Sequence, residues 1–215
     1  MQVIDDGPLP YLLDVTVAPA AGPAPVLCFL HGYDEAAPLP IADGGTRHGP
    51  LNPESAAAHG GRFILVAPQL PYRGDVWLRF AAEVLAIVEE VREVHGGDPA
   101  RTCLTGFSYG GNGVFDLALM SPGYWAALWP VDPPRVPPEA PDAPVWLSVG
   151  AAARPRRERF VQTLALEDAA TLPRGRRVWL DEGADHTGSA RRAYADARIY
   201  DWLLSWELLR PAPTA

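Results

Sequence analysis

A chain of 215 residues, 48% apolar and 20% charged, is enough for one folded domain over 1–215 whose core needs neither a metal nor a disulfide. A formal net charge of −8 argues against a nucleic-acid partner, and all 18 Lys/Arg positions are Arg, which excludes Schiff-base chemistry on lysine. No window of about 18 apolar residues offers a membrane span, and the first eight residues, Met1 to Pro8, lack the basic start and apolar stretch of a signal peptide. The expectation is therefore a cytoplasmic protein with no membrane partner.

In chain order, Tyr11 to Val17 reads as a first strand. Val26 to Leu30 is a continuous apolar run ending in His31-Gly32, and Phe63 to Ala67 is another, ending in Pro68. Trp77, Phe80, Ala81, Val84, Leu85, Val88, Val91 and Val94 recur at three- and four-residue spacing, a helical stripe that Gly96-Gly97 ends, with Asp98-Pro99 starting a turn. Thr102 to Thr105 is a short strand before a glycine-rich turn, and Asn112 to Met120 is helical. Trp125 to Val131, Val145 to Val149 and Arg177 to Leu180 are further strands. Arg159 to Ala169 and the stripe Ile199, Trp202, Leu203, Trp206, Leu209 are helices. Several strand runs are apolar at every position, as strands covered on both faces are. Strands alternating with helices predict an α/β fold: a doubly wound, mostly parallel sheet flanked by helices. Pro133 to Pro144 reads as a loop rather than a domain boundary. Cys28 and Cys103 lie inside apolar runs and read as buried free thiols.

The chemistry gathers at Gly106-Phe107-Ser108-Tyr109-Gly110. In a G-x-S-x-G turn a strand bends sharply into a helix, which strains the serine backbone and lifts its hydroxyl to the sheet edge. Glycines on either side let strand and helix approach. A serine hydroxyl needs a base to take its proton. Five histidines are present, at 31, 48, 59, 95 and 186. Where the chain order is nucleophile, acid, histidine, His186 is the one that follows Ser108. It sits in a polar loop between a strand and the final helical region. His31-Gly32 ends the second apolar run, and the turn after such a strand supplies one backbone N–H to an oxyanion hole. The residue after the nucleophile supplies the other. These donors are assigned to Tyr33 and Tyr109, with His31 shaping the loop.

Together these segments resemble the small esterases of the α/β-hydrolase superfamily, of the carboxylesterase and dienelactone-hydrolase-like kind. The resemblance runs from about Tyr11 to Leu209. It is carried by Leu27 to Gly32, Arg47-His48-Gly49-Pro50, Phe63 to Pro71, Thr105 to Asp116, and Ala193-Tyr194 through Tyr200 to Leu204. It implies a minimal α/β-hydrolase fold and cofactor-free, metal-free hydrolysis of a small-molecule ester or thioester, with Ser108 and His186 as nucleophile and base.

Two features depart from that pattern. The family's acid usually stands a few residues past the glycine after the seventh strand. Here that segment reads Val149-Gly150-Ala151-Ala152-Ala153, which puts Ala153 in the acid's place. The best replacement is Asp132, after the preceding strand, as in some lipases that this arrangement resembles. Asp181, Glu182 and Asp185 are weaker candidates, and a Ser-His dyad without an acid stays open. Asp34 and Glu35 follow Tyr33 where small or basic residues are common, and both are expected to face solvent. An acyltransferase or cyclase on the same scaffold, or a non-catalytic binding module, are the competing functions. The dozen residues from Pro133 to Pro144 leave no room for a large lid.

Overall fold

A computed structural model describes residues 1–17, 22–74 and 76–208. Its strands form one nine-stranded sheet. Chain order is β1 (Gln2–Ile4), β2 (Tyr11–Asp14), β3 (Ala24–Leu30), α1 (Ile41–Arg47), α2 (Ala56–His59), β4 (Ile64–Pro68), α3 (Ala81–His95), β5 (Gly97–Phe107) and α4 (Tyr109–Met120). Then come β6 (Leu128–Val131), β7 (Val145–Val149), α5 (Arg157–Leu164), β8 (Glu167–Asp168), β9 (Arg177–Asp181), α6 (His186–Tyr194) and α7 (Ala197–Leu204). The spatial order is β1-β2-β4-β3-β5-β6-β7-β9-β8. Only the β1–β2 and β2–β4 pairings are antiparallel; from β4 onward the sheet is parallel.

Alternation along the strands divides the core in two. Val26, Cys28 and Leu30 of β3 join the layer that holds Val84, Ile87, Val88 and Val91 of α3, Phe115 of α4 and Phe160 of α5. Leu27 and Phe29 join the opposite layer, with Tyr194 of α6 and Tyr200, Trp202 and Leu203 of α7. The two cysteines fall on different sides, Cys28 in the first layer and Cys103 in the second, so neighbouring strands do not bring them together. Both are free and buried; burial pushes the Cys103 thiol up to about 12.

Several bounds differ from the sequence reading. The α3 stripe holds from Ala81, but Val94 is exposed, and Trp77 to Phe80 form a 3-10 turn that leads into it. Asp98-Pro99 opens β5 rather than a turn: the Asp98 carboxylate accepts from the Ala100 N–H at 2.9 Å and from Arg101 Nε at 2.7 Å. The helix expected over Arg159 to Ala169 stops at Leu164, where Ala165 turns left-handed (φ 51°), and Glu167–Asp168 becomes an edge strand. Trp206 lies beyond α7, and Leu209 of the expected stripe lies outside the described residues. Among the described residues, no helix is long and apolar enough to cross a membrane.

Candidate active site

β3, β5, β6 and β7 run parallel, so their C-terminal ends share one sheet edge, where α/β folds bind ligands. At the end of β5, Ser108 has φ 56° and ψ −114° and caps α4. A non-glycine residue held there costs about 1–3 kcal/mol. Bonds on both sides hold it: its N–H donates to Val131 O at 2.9 Å, and its carbonyl accepts from the Asn112 N–H at 3.1 Å. The flanking glycines are a steric necessity. A Cβ on Gly110 would stand 1.8 Å from Leu30 O, and one on Gly106 2.4 Å from Gly110 O.

The end of β6 supplies a second strained residue, Asp132, at φ 45°. It is fully buried. Its Oδ1 accepts the N–H groups of Gly150 and Ala153 at 2.8 and 2.7 Å, and its Oδ2 accepts that of Ala152 at 3.1 Å. The loop after β7 thus binds a carboxylate from the neighbouring strand. Ala153 turns its methyl into the core and offers its N–H to Asp132.

His186 is the first residue of α6, a correction to the polar loop expected there. Asp185 caps that helix, accepting from the Gly188 N–H at 2.7 Å. The imidazole lies between the two strained residues, with Nε2 2.9 Å from Ser108 Oγ and Nδ1 2.6 Å from Asp132 Oδ2. The Phe107 ring packs against it, 4.6 Å between centroids. The other candidate acids have different partners. Asp181 receives Arg154 through both oxygens, at 2.9 and 2.7 Å, and that guanidinium lowers its carboxyl below the usual range. Asp185 is engaged as a helix cap. Glu182 is buried, and burial pushes its carboxyl up to about 7, partly offset by the Ser148 hydroxyl.

Tyr33 begins a 3-10 turn after Gly32 and Tyr109 begins α4, so both backbone N–H groups belong to first turns, whose donors have no partner within the helix. Their rings meet edge-on, 5.2 Å apart. His31 accepts the Leu70 N–H at Nε2 (2.9 Å), which leaves Nδ1 to donate to Gly32 O at 2.7 Å. Its carbonyl accepts from Trp77 Nε1 at 3.1 Å. Burial pulls its pKa down to about 4, so it is a neutral brace for the loop.

The expectation that Asp34 and Glu35 both face solvent holds for Asp34, an exposed partner of Arg73 at 3.5 Å. It fails for Glu35, which is 4% exposed. Its Oε1 lies 4.0 Å from Arg47 and 3.8 Å from His48, and its Oε2 has no hydrogen-bond partner among the described residues. The Oε2 sits 2.7 Å from where a Cβ on Gly32 would be, a point 3.4 Å from Ser108 Cβ. Burial raises its carboxyl, and Arg47 opposes that rise. The sequence reading missed this cluster: Asp-Glu after a turn has the look of a solvated face, and nothing in its spacing couples it to Arg47-His48. Among the described residues no group of three or more His, Cys, Asp or Glu side chains is placed to share a metal ion.

No family model and no curated protein matches the chain. Solved structures do. A thermostable esterase superposes with a TM-score of 0.72 at 20% identity over 96% of this chain, which spans 62% of that protein's length. The feruloyl esterase module from Clostridium thermocellum, a serine-to-alanine mutant complexed with sinapinate, superposes with a TM-score of 0.63 at 14% identity, over 89% of this chain and 82% of that one. The fold is the α/β-hydrolase fold, and these two esterases share it.

Proposed function

We propose that the protein is a serine-dependent hydrolase of carboxylic esters or thioesters. The observation that carries this reading is the unbroken chain Ser108 Oγ–His186 Nε2–His186 Nδ1–Asp132 Oδ2 at 2.9 and 2.6 Å, with Ser108 on a strained strand-to-helix turn. Similarity of fold to two esterases supports it. Seating of Asp132 in the loop that holds Ala153 takes away the reason for reading the fold as catalytically silent.

In this mechanism the Asp132 carboxylate accepts a hydrogen bond from His186 Nδ1–H, which keeps the proton on Nδ1 and leaves the Nε2 lone pair for the Ser108 hydroxyl. Ser108 Oγ attacks the acyl carbon as its proton passes to Nε2. The Tyr33 and Tyr109 N–H groups receive the oxyanion; one such donor is worth about 10²–10³ in rate. As the tetrahedral adduct collapses, His186 returns the proton to the leaving oxygen. Water then repeats the sequence on the acyl-enzyme, releasing the acid and restoring Ser108. The test is p-nitrophenyl acetate turnover together with fluorophosphonate labelling. The wild type is expected to hydrolyse the ester and take the label, and folded Ser108→Ala to do neither. Wild-type activity in Ser108→Ala would overturn the assignment.

A further inference from the structure

Two clefts of opposite character lie beside the residues that follow Ser108 and His186: Tyr109 lines one and Thr187 the other. Among the large apolar side chains left exposed, Tyr33, Val76, Leu78 and Tyr109 converge on one side. The Tyr33 ring meets the Tyr109 ring at 5.2 Å and packs against the chain at Gly74, where a Cβ would stand 2.9 Å from it. Beside them, Val76, Trp77, Leu78 and Tyr109 wall a cleft of about 240 Å³. Its far end carries charge that is already matched. The Arg135 guanidinium donates to both Asp116 oxygens at 2.8 and 2.6 Å, and the Arg135 N–H donates to Asn112 Oδ1 at 3.1 Å. Such an end suits an uncharged group.

The second cleft, about 140 Å³, lies on the side of the histidine. Thr187 and Arg191 of α6 line it opposite Arg47, His48, Asn52 and Glu54. Its charges are mixed: Arg191 faces Glu54 at 3.7 Å, and Arg47 lies 4.0 Å from Glu35.

The chemistry orients a substrate between them. The acyl group stays bonded to Ser108, whereas the leaving oxygen must come within reach of His186 Nε2, which protonates it. The alcohol therefore belongs on the His186 side, where the lining is polar, and the acyl substituent on the Tyr109 side, where exposed apolar surface marks a binding patch.

Resting on the ester-hydrolase reading above, we propose that the Val76–Leu78–Tyr109 cleft is the acyl subsite. The substrates are esters of a compact, uncharged aromatic or branched apolar acid with a polar, hydroxyl-bearing alcohol. At about 240 Å³ the cleft suits a single ring on a short spacer rather than a long chain.

The test compares p-nitrophenyl acetate with p-nitrophenyl 3-phenylpropanoate, which share a leaving group and differ only in acyl size. Wild-type kcat/KM is expected to be at least tenfold higher for the phenylpropanoate. Leu78→Trp, at an exposed position that tolerates bulk, fills the cleft and is expected to erase that preference while acetate turnover stays within threefold. Val76→Trp on the same wall should act alike and serves if the first variant does not fold. For the alcohol side, Arg191→Ala is expected to raise KM for glyceryl 3-phenylpropanoate at least fivefold and leave that for methyl 3-phenylpropanoate unchanged. Equal wild-type rates on the two p-nitrophenyl esters, or equal losses on both in the tryptophan variants, would overturn the acyl subsite with the hydrolase reading intact. An Arg191→Ala effect that does not depend on the alcohol would overturn the polar half. A wild type that cleaves none of these esters would overturn the hydrolase reading itself.

Discussion

Replacing Asp132 by Asn changes one atom and reverses the proton traffic at His186. The carboxylate now accepts four hydrogen bonds: Gly150 and Ala153 N–H on Oδ1, Ala152 N–H and His186 Nδ1 on Oδ2. An amide has one acceptor oxygen and one NH₂. With the oxygen kept against Gly150 and Ala153, the NH₂ faces Ala152 N–H and His186 Nδ1. It then donates to Nδ1, the imidazole proton moves to Nε2, and no lone pair remains for the Ser108 hydroxyl. Fixing the wrong tautomer costs about 10⁴ in turnover, or about 5 kcal/mol of barrier. Stability suffers separately, by about 1.5–3 kcal/mol, for the charge-assisted bond lost to Ala152. Steady-state hydrolysis of p-nitrophenyl acetate reads the first effect, and thermal melting followed by circular dichroism reads the second. Turnover within tenfold of wild type in a folded Asp132→Asn protein would refute the role. Adding Ala153→Asp should not rescue it, because the Ala153 side chain is fully buried in the core and a carboxylate there faces apolar neighbours.

Two further outcomes follow from the same geometry. Gly110→Ala sets a Cβ 1.8 Å from Leu30 O, so the turn must move; a loss of about 4 kcal/mol, near 10 °C in melting temperature, is expected. Gly123→Ala, at a positive φ of 76° that Gly110 does not share but with nothing within 4 Å, should cost only about 1 kcal/mol, and equal effects of the two would contradict the steric argument. Glu182→Gln reads a buried acid. The folded protein holds the Glu182 proton up to about pH 7, whereas the unfolded chain releases it near 4.5. The unfolded state therefore binds fewer protons in that window, and wild-type stability falls as pH rises, by about 3 kcal/mol in all. Gln does not titrate, so the variant should gain on wild type between pH 4 and pH 8 in urea unfolding; a constant difference would remove Glu182 as the cause.

Much of the candidate site is legible in the sequence because its constraints are local. Ser108 stands between glycines that the close approach of Leu30 demands, and chain order leaves one histidine after it. The gap at Ala153 pointed to Asp132, since adjacent parallel strands end at the same edge. What escaped the sequence depends on contacts far apart in the chain. Glu35 is buried by α1 and the Gly32 turn, which no periodicity announces. Ala165 ends α5 in a left-handed conformation without the glycine that usually signals it. β1 and β8, three and two residues long, carry too few side chains to alternate visibly. Asp185-His186 read as loop because the capping role of Asp185 depends on a helix whose first turn has no apolar stripe.

The seat of Asp132 sets where this chain can grow. Three consecutive-loop N–H groups, from Gly150, Ala152 and Ala153, grip the carboxylate within 3.1 Å, so one residue inserted between β7 and α5 would rotate a donor away and shift the imidazole with it. The Pro133–Pro144 connection, which leaves the same strand end only one residue later, is held elsewhere, through Arg135 on Asp116 and through Arg177 and Arg176 on the Pro141 and Asp142 carbonyls. Added length, a lid or a whole inserted module would fit there without disturbing the alignment of Ser108 and His186, whereas the shorter, blander alanine loop admits none.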